Sequence, residues 1–157
     1  MYIFDTSSFS LLFKYYPSRF PSLWNKFDEL IKSQRVSSVI EVYKELQGMD
    51  KNEAAITWTN DNKDIFHKPS GAEASFMMAL FKERNGHFQG MIEKTKQLKG
   101  GLCADPFLVA KAKINNLTII TEERNKPNST KIPAICEYYS IPCNNLELFM
   151  IKENWIF

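Results

Sequence analysis

Hydrophobic and polar positions change period several times along the chain, and the changes mark an alternation of short strands and helices. Tyr2-Ile3-Phe4 is a strand-favouring run that stops at Asp5, the pattern of a buried strand. Asp5-Thr6-Ser7-Ser8 then supplies N-cap chemistry for a helix through about Tyr16. Pro17 and Pro21 punctuate the chain, and Ser22 caps a second helix on which Leu23, Phe27, Leu30 and Ile31 recur at helical spacing. Val36 to Ile40 reads as the second strand. Glu41 to Gln47 turns helical, with Gly48 as its stop.

Lys51 to Trp58 predicts another helix, and Thr59 to Pro69 a polar loop holding a brief strand at Ile65-Phe66. Ser70 caps a long helix with Ala74, Met77, Met78 and Phe81 along one face, a methionine stripe that reads as core; Asn85-Gly86 ends that element. Phe88 to Lys99 is ambiguous between helix and loop, and Gly100-Gly101 breaks it. Ala104 to Ile114 is helical in pattern, with Asp105 and Pro106 at its start. Asn115-Asn116 turns the chain into Leu117 to Thr121, the strongest strand signal present. Ile132 to Tyr139 predicts a helix, Ile141 to Cys143 a short strand, and Leu146 to Lys152 a final helical turn or two.

Strands that alternate with helices favour a parallel sheet covered on both faces. The length, 157 residues, fits one domain spanning 1–157. A chain that is 44% hydrophobic and 24% charged can bury a core without disulfides or metals. No apolar run approaches the roughly 18 residues of a membrane span, so no membrane partner is expected. Met1 to Asp5 lacks the basic opening of a signal peptide. Cys103, Cys136 and Cys143 are odd in number and lack C-x-x-C spacing, which argues against a disulfide framework or a zinc site. The expected home is the cytoplasm. A net charge of +2 is too small to identify a nucleic-acid partner. Lys94, Lys96, Lys99, Lys111, Lys113, Arg124, Lys126 and Lys131 are basic positions best read as solvated surface.

Candidate chemistry emerges from position. In open parallel sheets, sites form beyond the carboxyl ends of strands. Asp5 follows the first strand, Glu41 and Glu45 follow the second, Asp105 opens the helix before the strong strand, and Glu122 and Glu123 follow that strand. Each alone has a plain reading, as a helix cap or a solvated charge. Together they place an acid at each of these strand mouths. Glu41 and Glu45, four apart, share a helix face. Carboxylates brought this close repel, and a hard divalent cation, Mg²⁺ or Mn²⁺, relieves the repulsion.

The stretches Ile3-Phe4-Asp5-Thr6-Ser7, Glu41 to Leu46, Ala104 to Ala110 and Ile119 to Glu123 resemble the ordered motifs of PIN-domain ribonucleases. The tail from Lys131 to Cys143 is similar to an uncharacterised bacterial and archaeal PIN-like branch. The resemblance implies a three-layer α/β/α, Rossmann-like domain with a four- or five-stranded, mainly parallel sheet. It also implies a Mg²⁺- or Mn²⁺-dependent endoribonuclease, as in the toxin half of many type II toxin–antitoxin pairs. By motif, Asp5, Glu45, Asp105 and Glu123 match the four acids, with Glu41 assisting as a metal ligand and Glu122 as a substitute for Glu123. Thr6, Ser7 and Thr121 would share the pocket. The implied partners are an RNA substrate and a cognate antitoxin; a second copy of the chain is a further candidate, because a homodimer is the commonest closed assembly. This chain departs from the family where glutamate replaces the usual fourth aspartate and Arg124 to Asn128 replaces an aspartate-rich ending. Those departures keep a second reading open, a PIN-like module that binds RNA or a protein without cutting. Phe9, Phe13, Tyr15 and Tyr16 would face such a partner or join the core.

Overall fold

Three buried residues, Tyr2–Phe4, form β1, and the rest of the sheet assembles around it in parallel. The computed structural model describes residues 1–49, 53–89, 103–126 and 128–157. After β1 come α1 (Thr6–Leu12), α2 (Pro21–Lys32), β2 (Val36–Val39), α3 (Ile40–Met49), α4 (Glu53–Asp61), β3 (Phe66–His67) and α5 (Gly71–Lys82). There follow α6 (Asp105–Asn115), β4 (Thr118–Ile120), α7 (Ile132–Tyr139), β5 (Cys143–Asn144) and α8 (Leu146–Lys152). The strand order is β3-β2-β1-β4-β5, and each neighbouring pair is parallel. Helices flank this five-stranded sheet in the three-layer α/β/α arrangement of a PIN-like fold.

The order locates a site before any side chain is considered. From β1 the chain adds β2 and β3 on one side, then returns to add β4 and β5 on the other. The reversal falls between β1 and β4, where parallel sheets leave a crevice beyond the strand carboxyl ends. Asp5 directly follows β1 and Thr121 directly follows β4.

Strand alternation turns Tyr2 and Phe4 to one face. There Phe4 meets Phe9, Phe27 and Phe149 at ring separations of 5.4, 5.3 and 5.2 Å, and Phe13, Trp24 and Trp58 extend the cluster. Each fully buried ring of this kind contributes about 1.5–3 kcal/mol by leaving water. α6 packs on β1, β2 and β4, and against α5 and α7. Among the described residues no helix is long and apolar enough to cross a membrane.

Several boundaries differ from expectation. α1 stops at Leu12 rather than near Tyr16, because the chain turns after Phe13 and the Trp24 indole takes the Tyr15 carbonyl. Pro21 itself opens α2, so Ser22 is not its cap. Gly48 lies inside α3 and is not its stop. On α5 the buried residues are Glu73 and Leu80. Ala74 and Met78 are exposed, Met78 at 64%, so the methionine stripe is not the core face. α5 ends at Lys82 and a 3-10 turn, Glu83–Gly86, carries the chain on. Phe9 and Phe13 are core, whereas Tyr16 is exposed. The expected helix at Lys51 begins at Glu53 among the described residues. Most of Phe88 to Lys99, and Gly100-Gly101, lie outside them.

Candidate active site

Asp5 is the best-held polar residue in the crevice. Its side chain is 4% exposed, and its backbone N donates to Ile120 O at 3.1 Å. As the cap of α1 it accepts from Ser8 N at 2.7 Å through Oδ1. Ser7 Oγ donates to both carboxylate oxygens at 2.9 and 2.7 Å. Thr121 Oγ1 donates to Oδ2 at 2.6 Å. Burial pushes the Asp5 carboxyl upward, and the hydrogen bonds from Thr121, Ser8 and Ser7 pull against that rise. Three donors leave room on a carboxylate that can accept roughly four hydrogen bonds.

The serines tie the two central strands together beneath this carboxylate. Ser8 Oγ contacts Asp5 O at 3.0 Å and Ile120 O at 2.9 Å. Ser7 Oγ accepts from Glu122 N at 2.9 Å. Ser8 was not among the sequence candidates. Its signal lay three residues after an N-cap aspartate, where a backbone N–H meets the cap.

Glu45 forms the second pole. It is 2% exposed and joins two motifs that are distant in sequence. Thr6 Oγ1 donates to its Oε2 at 2.5 Å, and Ala104 N donates to its Oε1 at 3.1 Å. Asp105, half-buried, is the next residue and the first of α6. The chain thus links Asp5 through Thr6 to Glu45, and Glu45 through Ala104 to Asp105. One turn before Glu45, Glu41 is half-buried beside it. Its Oε2 is shielded from solvent and finds no hydrogen-bond partner among the described residues. Burial raises the Glu41 carboxyl, the Glu45 charge adds to the rise, and Lys44, 4.0 Å away, opposes it.

Glu122 and Glu123 take different places. Glu122 Oε1 accepts from Leu146 N at 2.7 Å, at the start of α8. Glu123 Oε2 accepts from Ile132 N at 3.0 Å, at the start of α7, with Lys131 Nζ 3.4 Å from Oε1. Each carboxylate therefore fills an orphan donor at a helix N-terminus. Glu123 keeps one link to the crevice, because its backbone N donates to Thr121 Oγ1 at 3.1 Å.

The donor set around Asp5, Glu41, Glu45 and Asp105 is all hard oxygen, the kind that selects Mg²⁺ or Mn²⁺. Among the described residues no three acidic, histidine or cysteine side chains are gathered into a ready-made metal cluster. Mg²⁺ does not need one, since it commonly keeps several waters and binds one or two carboxylates plus substrate phosphate. The unpartnered Glu41 oxygen is the observation that fits a cation best.

A cavity of about 420 Å³ opens beside Thr121 and Glu123, with Cys136, Cys143 and Asn145 in its wall. A second, of about 410 Å³, holds Arg84, Lys126 and Tyr138. The roomiest of these, about 490 Å³, lies by Met1, Val36 and Leu117 at the opposite ends of the strands, away from the acids. Phe88 is buried and unavailable to a partner, while Lys94, Lys96 and Lys99 lie outside the described residues.

A family model described as a domain of unknown function, DUF4411, matches residues 2–157. No curated protein matches the chain.

Proposed function

We propose that this chain, which belongs to the DUF4411 family, is a PIN-type ribonuclease that hydrolyses RNA phosphodiester bonds with Mg²⁺ or Mn²⁺. The observation that carries the reading is the buried Asp5 carboxylate at the β1–β4 reversal, linked through Thr6 and Ala104 to Glu45 and the start of α6. Parallel α/β sheets put their ligands in that crevice. Buried carboxylates there carry a desolvation penalty that a cation relieves.

Asp5, Glu45 and Asp105 would hold the ion directly or through water, with Glu41 turning its free oxygen toward it. Bound there, a divalent ion supplies acidity to a water and neutralises charge on the phosphate. Ser7 and Thr121 fix the Asp5 carboxylate by donating to it, and their hydrogen bonds oppose the upward push of burial. Thr6 holds the Glu45 side chain in place in the same way. Glu123, whose backbone is bonded to Thr121, borders the route to the crevice. Within this reading the protein acts in the cytoplasm as the toxin of a type II toxin–antitoxin pair, with RNA as substrate and an antitoxin, or a second copy, over the pocket.

A second reading has its own observation. Glu122 and Glu123 are engaged as helix caps, which suits a module that binds RNA or a protein without cutting. Thermal unfolding with added Mg²⁺ or Mn²⁺ separates the two. A metal pocket raises Tm as ligand concentration passes its Kd. A Tm indifferent to both ions favours the binding module.

A further inference from the structure

Cys136 stands on α7 and Cys143 opens β5. The reversal between them is local. Ser140 closes α7 in the left-handed region at φ 53, Ile141 N donates to Cys136 O at 2.9 Å, and Pro142 fixes the following φ. This return lays β5 beside the helix end and brings Cys143 back alongside Cys136. Cys136 is 1% exposed, Cys143 is half-buried, and both line the 420 Å³ cavity that also holds Thr121 and Glu123. Cys103 is buried and is not part of that wall.

We infer that Cys136 and Cys143 are an oxidation site, at which a small hydroperoxide entering this cavity closes the pair into an intrachain disulfide. Cys143 attacks and Cys136 resolves. The hydrogen bond from Cys136 lowers the Cys143 thiol below its ordinary value, against burial and the charges of Asp5 and Glu123, while Cys136 is held up in its protonated form. The nucleophile is the thiolate.

The Cys143 thiol first releases its proton to solvent. Its sulfur then attacks the terminal oxygen of the hydroperoxide. An S–O bond forms, the O–O bond breaks, and the alkoxide takes a proton from solvent to leave as an alcohol, or as water when the oxidant is hydrogen peroxide. Cys136 next attacks the sulfenic sulfur. An S–S bond forms, the S–O bond breaks, and hydroxide departs as water with the Cys136 proton. Two thiols lose two electrons and the peroxide gains them.

The site borders the acidic crevice. Asn144, next to Cys143, accepts from Thr121 N at 2.9 Å, and Thr121 holds Asp5.

The test treats the whole folded chain with a few equivalents of hydrogen peroxide. It is then unfolded in an alkylating reagent, and its intact mass is read. One alkyl group is expected in place of the three that the three cysteines take before treatment. Dithiothreitol restores all three, and a digest contains a linked peptide joining positions 136 and 143. In Cys136→Ser, Cys143 stops as a sulfenic acid captured by dimedone. In Cys143→Ser, both remaining thiols survive the same dose. Three alkyl groups after treatment of the parent, or loss centred on Cys103, overturns the inference. So does a single cysteine carried on to sulfinic acid while its neighbour stays free. None of these readings depends on the chain cutting RNA.

Discussion

Thr121 Oγ1 donates to Asp5 Oδ2 at 2.6 Å across 116 positions of sequence. That one contact closes the mouth between β1 and β4 and fixes the carboxylate on which the proposed chemistry rests. It also makes Thr121 a position where shape and hydrogen bonding separate cleanly. Thr121→Val keeps the volume but leaves a buried acceptor short of a donor, which costs about 1–3 kcal/mol. Thr121→Ser restores the hydroxyl and should recover most of that loss. Urea unfolding measures both. Equal stability of the valine variant and the parent would show that the contact contributes nothing.

Asp5 and Glu41 both have carboxyls raised by burial above their ordinary values of 3.8 and 4.5. A group that binds its proton more tightly when folded stabilises the fold fully below its unfolded pKa. That stability is lost as pH rises through the folded value. Without metal, Tm should therefore carry a falling contribution from these groups as pH climbs out of the ordinary carboxylate range. Glu41→Gln removes one of them. The Tm difference between Glu41→Gln and the parent should grow in the variant's favour with rising pH, and Mn²⁺ should narrow it. A difference independent of pH contradicts the assignment.

The capping glutamates separate by stability rather than chemistry. Glu122→Ala unfastens Leu146 N at the start of α8, and Glu123→Ala unfastens Ile132 N at the start of α7. Each should cost about 1 kcal/mol, the usual worth of an N-cap, seen as a lowered urea midpoint. Glu122→Ala should leave RNA cleavage standing, since its carboxylate serves α8. Loss of cleavage in a variant that still folds would move Glu122 into the reaction.

Glu73 is a third structural acid. It completes a capping box with Ser70, accepts from Asn115 Nδ2 at 2.9 Å and lies 3.8 Å from the nearly buried Lys111 ammonium. Removing one partner of a buried pair strands the other. Glu73→Ala should lose about 3 kcal/mol, and Glu73→Gln less, because the amide oxygen can still accept. Denaturant titration of the two variants checks the order.

Sequence pattern alone exposed the parts of this molecule that rest on local rules. The run Tyr2–Phe4, its terminal Asp5 and the strand before Thr121 follow from side-chain type and the strand-end rule, and the Ser70 cap from a Ser followed three places later by Glu. The buried face of α5 was not legible. Glu73 turns inward only because Lys111 and Asn115 of α6 wait for it, and methionines at helical spacing carry no record of that partner. β3 and β5 were legible as short strands, but the pattern places them one or two residues early, because elements of two residues each are too short for periodicity to fix their bounds. Glu122 and Glu123 read as pocket acids because they follow a strand, yet the helices they cap begin 24 and 9 residues later, where no local signal reaches. The return of Cys143 to Cys136 depended on a left-handed Ser140, a conformation that composition does not announce.

Cleavage of a single-stranded RNA in Mn²⁺, compared between the parent and Asp5→Asn, bears most directly on the acidic crevice as a metal-dependent nuclease. Asparagine keeps the cap on α1 and removes the charge. The expected result is fragments bearing 5′-phosphates from the parent, none after chelation with EDTA, and none from a folded Asp5→Asn. Equal cutting by the variant and the parent, or cutting by the parent that EDTA leaves untouched, would contradict it.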